Sequence, residues 1–128
     1  MRQASVPRDR WFPIVLPVVM MAPLGCFGDE DSAAVARAHS QDMCDREYFD
    51  HTNPDGDEPY DRLDHAGVSW TAAGENITAT QSTAQGAMDT WMGSSTHRAN
   101  ILSESFGRIG VGYVPCDGEH LWTQVFTN

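Results

Sequence analysis

An α+β layered fold, with helices packed on an antiparallel sheet, is predicted by three features of the sequence. An Ala-rich stretch at residues 33–44 contains no helix breaker and follows Asp31 and Ser32, either of which can cap it. A second stripe, Ala84, Ala87, Met88 and Trp91, recurs at helical spacing behind Ser82. Beyond residue 107 the period changes. Arg108-Ile109-Gly110-Val111-Gly112-Tyr113-Val114 alternates large and small side chains, and residues 120–126 form a matching run across Asp117-Gly118, a hairpin signal. The 128 residues leave room for one domain with one modest core.

Taken in order, residues 1–25 read as an export signal. Arg2, Arg8 and Arg10 precede an apolar run from Trp11 to Leu24 that is too short to span a bilayer. The run ends in Pro23-Leu24-Gly25-Cys26, which resembles a bacterial lipobox with Cys26 as the lipidated residue, although Pro23 departs from the pattern. Residues 26–32 are acidic and read as a tether, and residues 33–128 as the domain. The first helix places Val35, Ala38, Met43 and Phe49 near one face. A polar loop at residues 51–59 follows, with Asn-Pro and Asp-Gly turn signals. Asp61 can cap a short helix at 62–66, closed by Gly67. Residues 74–78 read as loop or short strand, 83–92 as the second helix and 96–102 as a short helix or turn. Gly110 and Gly112 would let a helix lie close against the sheet. Trp91 and Trp122 lie on periodic elements and belong to the core, while Trp70 lies outside them and is free to stack on a sugar or lipid.

All eight basic residues are arginine, and beyond Cys26 seventeen acidic residues face five arginines. Such a surface repels phosphate backbones, so nucleic-acid binding is not expected. The acidic loop at 55–61 lacks the ligand order of a calcium-binding loop and reads as a solvated turn. The three cysteines are an odd number. If Cys26 is lipidated, Cys44 and Cys116 remain, either as a disulfide or as two buried thiols. A bridge would close a loop of about 70 residues, worth roughly 4 kcal/mol by chain-entropy reasoning.

Four motifs follow one another in order. They are Phe49-Asp50-His51-Thr52-Asn53-Pro54-Asp55-Gly56 with Pro59-Tyr60-Asp61-Arg62; Gly74-Glu75-Asn76-Ile77; Trp91-Met92-Gly93-Ser94-Ser95-Thr96-His97-Arg98-Ala99-Asn100; and Ile109-Gly110-Val111-Gly112-Tyr113 with Trp122-Thr123-Gln124-Val125-Phe126. Together they resemble the bacterial branch of the CAP superfamily, the SCP-like domains related to cysteine-rich secretory proteins, venom antigens and plant pathogenesis-related proteins. The resemblance implies a three-layer α-β-α sandwich with an antiparallel sheet. It also implies a cleft with two His and two acidic residues, where the His pair can hold a divalent metal. His51 matches the first His and Glu75 the first Glu. The second Glu position is Ser94 and the second His position is Leu121. His97, in the Ser-x-x-His-Arg-x-Asn pattern of bacterial members, is the candidate replacement. His120 is one residue out of register and should face away. The family's first helix, with its Asn-x-x-Arg motif, has no counterpart ahead of residue 33.

His51, His97 and Glu75 are therefore the candidate metal site, with zinc the expected ion, and Ser94, Asn76, Arg98 and Asn100 the candidate cleft supports. Gly93-Ser94-Ser95 is not a nucleophile elbow. The leading expectation is an exported, monomeric binding or structural module, secreted or lipid-anchored. Membrane contact would come only through the anchor, and the ligand would be a lipid or a cell-wall component. The alternative is a metal-assisted hydrolase using Glu75 as base with His51 and His97.

Overall fold

The computed structural model describes residues 27–128. The export signal, the lipidation of Cys26 and the question of a first helix lie outside the described residues. The elements are β1 (Phe27–Gly28), α1 (Glu30–Asp45), α2 (Pro59–His65), β2 (Ala73–Thr78), α3 (Ala84–Met92), α4 (Ser95–Leu102), β3 (Arg108–Cys116) and β4 (Glu119–Thr127).

The sheet runs β1-β3-β4-β2. β3 and β4 form an antiparallel hairpin in which Val111 opposes Gln124. Asp117 and Gly118 both take positive φ (46° and 86°), as a two-residue hairpin turn demands. β2 is a full strand, antiparallel to β4, with Glu75 opposite Val125. β1 pairs in parallel with the start of β3. Residues 27–32, expected as tether, are thus part of the fold. The Asp29 N–H donates to the Ile109 carbonyl at 2.9 Å. The Asp29 carboxylate caps α1 by accepting the Ser32 N–H at 3.1 Å and its hydroxyl at 2.6 Å. The cap is Asp29 because the helix reaches three residues further back than the Ala-rich run suggested.

Strand alternation divides the core into two layers. On one face Ile77, Leu121 and Val125 meet α1, α2 and the segment just after α2 through Val35, Ala36, Met43, Leu63 and Val68. On the other, Ile109, Trp122 and Phe126 meet α3 and α4 through Ala87, Trp91 and Ile101. This is the expected three-layer α-β-α arrangement. Trp91 and Trp122 are core residues, as expected. The buried stripe of α1 differs from the expected one. Val35 and Met43 are buried, but Ala38 is exposed and Phe49, beyond the helix, is 51% exposed. Ala36, His39 and Ser40 take the inner face. Alanine marks neither face of a helix, so the apolar pattern was ambiguous there.

A disulfide joins Cys44, at the end of α1, to Cys116, at the end of β3, across 72 residues of sequence. Measured contributions of such bridges centre on about 2–4 kcal/mol. Reduction, or the Cys44→Ser/Cys116→Ser pair, is expected to lower Tm by about 10–20 °C at unchanged fold. Thermal unfolding with and without reductant reads this directly, and coincident curves would assign the bridge no stabilising role.

Candidate functional site

Glu75 projects from β2 on the same face as Ile77, toward α1, and its side chain is only 2% exposed. A carboxylate buried this deeply must have its oxygens satisfied. Oε1 accepts from His51 Nδ1 at 2.8 Å, and Oε2 accepts from Arg62 Nη2 at 2.7 Å. His39, from the inner face of α1, brings Nε2 to 3.7 Å from Oε1. Two helices and a loop thus converge on one carboxyl group.

His51 lies in the loop between α1 and α2. That loop is braced by Arg62, whose Nη1 donates to the carbonyls of His51 (2.7 Å) and Asp57 (3.1 Å). Inside it, Asn53 Oδ1 accepts the N–H groups of Asp55 and Asp57, the local bonding that makes the acidic segment a turn. Donation to Glu75 uses His51 Nδ1 and leaves Nε2 for a ligand. The ring is half exposed and borders a cleft of about 350 Å³ lined by Thr52, Glu58, Tyr60, Glu75 and Asn100. The hydrogen bond that His51 donates to Glu75 raises the pKa of His51 above its ordinary value, against partial burial.

His39 and Arg62 were not singled out from sequence. The signal for His39 is a titratable residue among apolar positions of a buried stripe, which the run of alanines obscured. Its side chain is fully buried; Nε2–H donates to the Asp50 carbonyl at 2.9 Å and Nδ1 lies 3.4 Å from the Tyr48 hydroxyl. That hydroxyl donates to Asp42 at 2.6 Å. Burial lowers the pKa of His39, outweighing the attraction of Glu75, and Arg62 lowers it further. The contact with Glu75 is therefore between a neutral imidazole and a carboxylate.

The imidazoles pull stability in opposite directions as pH changes. His39 resists protonation in the fold, so below its unfolded pKa of 6.5 the unfolded chain binds the extra proton and stability falls. His97, also lowered, adds to this. His51 favours the fold while protonated. Its contribution is complete below pH 6.5 and is lost as pH rises through its raised folded value. In denaturant unfolding across this range, His39→Gln should flatten the acid-side decline and His51→Ala should steepen it. Equal slopes in both variants would contradict the assignment.

The structure brings His51 and Glu75 together but seats His39, not His97, beside the carboxylate. His97 lies on α4. Its pKa is lowered by burial and by the charge on His51, and its Nδ1 is buried without a hydrogen-bond partner. The position matched to the family's second His, Leu121, is buried in the core. His120 faces the other layer, stacked on Tyr113 with Nδ1 2.7 Å from its hydroxyl. Asn76 and Asn100 join β2 to α4. Asn76 Nδ2 donates to the His97 carbonyl and to Gln124, and Asn100 Nδ2 donates to Asn76 Oδ1 at 2.9 Å. Ser94 and Arg98 serve the helix junction instead. Ser94 is the N-cap residue of α4, and Arg98 donates to the Met92 carbonyl at the end of α3.

A zinc centre formed by His51, His97 and Glu75 does not fit this arrangement. Both Glu75 oxygens are taken by N–H donors, so its place is behind His51 as an orienting partner. Among the described residues no group of three or more His, Cys, Asp or Glu side chains is arranged to hold a metal ion.

The layered α-β-α domain with a His–Glu cleft defines a recognisable class. Residues 23–126 match the Cysteine-rich secretory protein family, CAP, and the chain belongs to it. It is 46% identical over 98 residues to the uncharacterized protein YkwD of Bacillus subtilis, covering 77% of this chain but 37% of the relative, so it spans well under half of that protein's length. Among solved structures, an extracellular protein containing a SCP domain from Bacillus anthracis superposes with a TM-score of 0.79 at 31% identity, over 98% of this chain and 45% of its own. An outer surface protein of Borrelia burgdorferi shares the fold, with a TM-score of 0.79 at 14% identity over 100% of this chain and 98% of its own.

Proposed function

We propose that this domain is an exported, monomeric binding module that takes its ligand on the Nε2 edge of His51. The observation that carries the reading is the His51–Glu75–Arg62 arrangement. It fixes one imidazole in a known orientation at the edge of an open cleft while occupying both oxygens of the only buried carboxylate there. The extracellular and surface settings named for the Bacillus anthracis and Borrelia burgdorferi structures support export. So do the basic front, the apolar run and the Cys26 lipobox, which supports an envelope anchor. A lipid or wall component is the ligand to seek.

The alternative hydrolase needs Glu75 as general base, and a base must reach the proton it removes. Glu75 is instead engaged by His51 and Arg62. A cation would be left with two imidazoles, short of the three protein ligands usual in catalytic zinc sites.

Sedimentation with purified cell-wall sacculi and with phospholipid vesicles tests the reading. Wild-type protein is expected to co-sediment with one of them, folded His51→Ala to remain in the supernatant, and no soluble product to be released. Product release that disappears in Glu75→Gln would establish the hydrolase instead. Equal retention of His51→Ala would remove His51 from binding.

A further inference from the structure

We propose that the cleft beside His51 is a subsite for an uncharged pyranose oligosaccharide, with Tyr60 as its stacking platform. The proposal rests on the binding-module reading above and names its ligand class.

Tyr60 is 42% exposed, one of three large hydrophobic residues left so open among the described residues. Its ring is nevertheless held in place. It packs on Trp70 with centroids 5.1 Å apart and planes 30° apart, and Trp70 Nε1 donates to Asp64 Oδ1 at 2.8 Å. Pro59 starts α2 beside it, and the Asp61 carboxylate accepts the Glu58 N–H at 2.8 Å, fixing the helix start that carries the tyrosine. Trp70 is partly buried against the core and anchors Tyr60 from below, whereas the open part of the Tyr60 ring does little for the core, since that area is not removed from water. It does offer a flat apolar face to a ligand that is itself apolar on one face.

A pyranose ring is such a ligand. Its axial C–H groups form an apolar face and its hydroxyls a polar rim. The cleft supplies partners for that rim: the Nε2 edge of His51, the Thr52 hydroxyl and the Glu58 carboxylate. Asn100 spends its amide N–H groups on the Glu75 carbonyl and on Asn76, so its carbonyl oxygen remains as an acceptor. These groups are mostly acceptors, suited to hydroxyl donors. Charge excludes the polyanionic glycans, because a ligand rich in phosphate or sulfate meets a surface with seventeen acidic residues and five arginines beyond Cys26. An acyl chain would require a continuous apolar trench, whereas polar groups interrupt this lining.

The test is an NMR titration of the folded domain with three probes: chitotriose, cellotriose and the polyanion heparin. Saturable shifts confined to the Trp70 indole, Tyr60 and His51 are expected with chitotriose or cellotriose. Affinity should fall about five- to tenfold in Tyr60→Ala and be retained in Tyr60→Phe. Absence of a saturable response to both neutral sugars, an undiminished response in Tyr60→Ala, or preference for heparin would each overturn the proposal. If sacculi or vesicles still retain the protein through His51 while the sugars fail, only the ligand class is wrong. If His51→Ala is retained equally, the underlying reading is wrong.

Discussion

Replacing Glu75 with alanine is expected to destabilise the domain by about 3–5 kcal/mol, the usual result of removing one partner of a buried charge pair. Arg62 is the reason. Its side chain is 11% exposed and its Nε is already without a partner, so loss of Glu75 would leave Nη2 unpaired as well. His51 would lose the partner that orients it, and the carbonyls held by Nη1 would then depend on a guanidinium stripped of its Glu75 ion pair. Glu75→Gln should cost less, because it keeps the shape and one acceptor. A carboxamide presents one oxygen, however, so it accepts from His51 or from Arg62 but not from both. Where Arg62 wins, the His51 pKa drops toward 6.5, since the Glu75 hydrogen bond is what raises it. Denaturant unfolding and His proton titration measure the two effects separately. The Glu75→Leu/Arg62→Leu double variant should recover part of the loss, because it removes the stranded charge. A cost below about 1 kcal/mol for Glu75→Ala would place the pair among weak surface bridges and refute the buried-network description.

Much of this was legible in the sequence because the features concerned are local. The switch to period two after residue 107, the Asp117-Gly118 turn and the Trp91 stripe each show in a few adjacent residues. His51 and Glu75 were found through motifs whose neighbours carry the fold. What escaped was combinatorial. His39 reaches Glu75 only because α1 turns its His39–Ser40 edge inward, and a helix rich in alanine does not announce which edge that is. Arg62 was visible within Pro59-Tyr60-Asp61-Arg62 but had no assigned partner, because the carboxylate it meets lies thirteen residues away. His97 illustrates the converse. Its motif was legible, and α4 lies on the far side of β2 from His39, so it approaches the cleft without replacing a partner of Glu75. The tether reading of residues 27–32 failed for a related reason: pairing of Phe27 and Gly28 with β3 is a contact some eighty residues distant.

Gly112→Ala is expected to exceed about 4 kcal/mol, enough to unfold a domain of this size in part or in full. A Cβ on Gly112 would overlap the backbone nitrogen of Arg37 and stand 2.5 Å from both the Ala36 carbonyl carbon and the Arg37 Cα, where ordinary contacts begin at 3.4 Å. Gly110 faces the same helix, with its Cβ position overlapping Ala33 N and Ser32 C and 2.6 Å from the Ser32 carbonyl oxygen. These neighbours are backbone, so no rotamer change relieves the clash, and α1 would have to withdraw by about 1 Å. It is not free to do so. The Asp29–Ile109 hydrogen bond holds one end, the Cys44–Cys116 disulfide the other, and Ser40 is 2.8 Å from Thr123 between them. Gly107→Ala is the matched control: its φ is not positive and its Cβ would meet nothing nearer than 4.0 Å, so a change within about 0.5 kcal/mol is expected. Comparable losses at Gly107 and Gly112 would show that backbone entropy, not helix–sheet contact, sets the effect. Close contact also links the sheet to the cleft. α1 carries His39, and His39 holds the Asp50 carbonyl next to His51. Any Gly112 variant that still folds should therefore show an altered His51 titration, because a displaced α1 moves the loop that presents the imidazole.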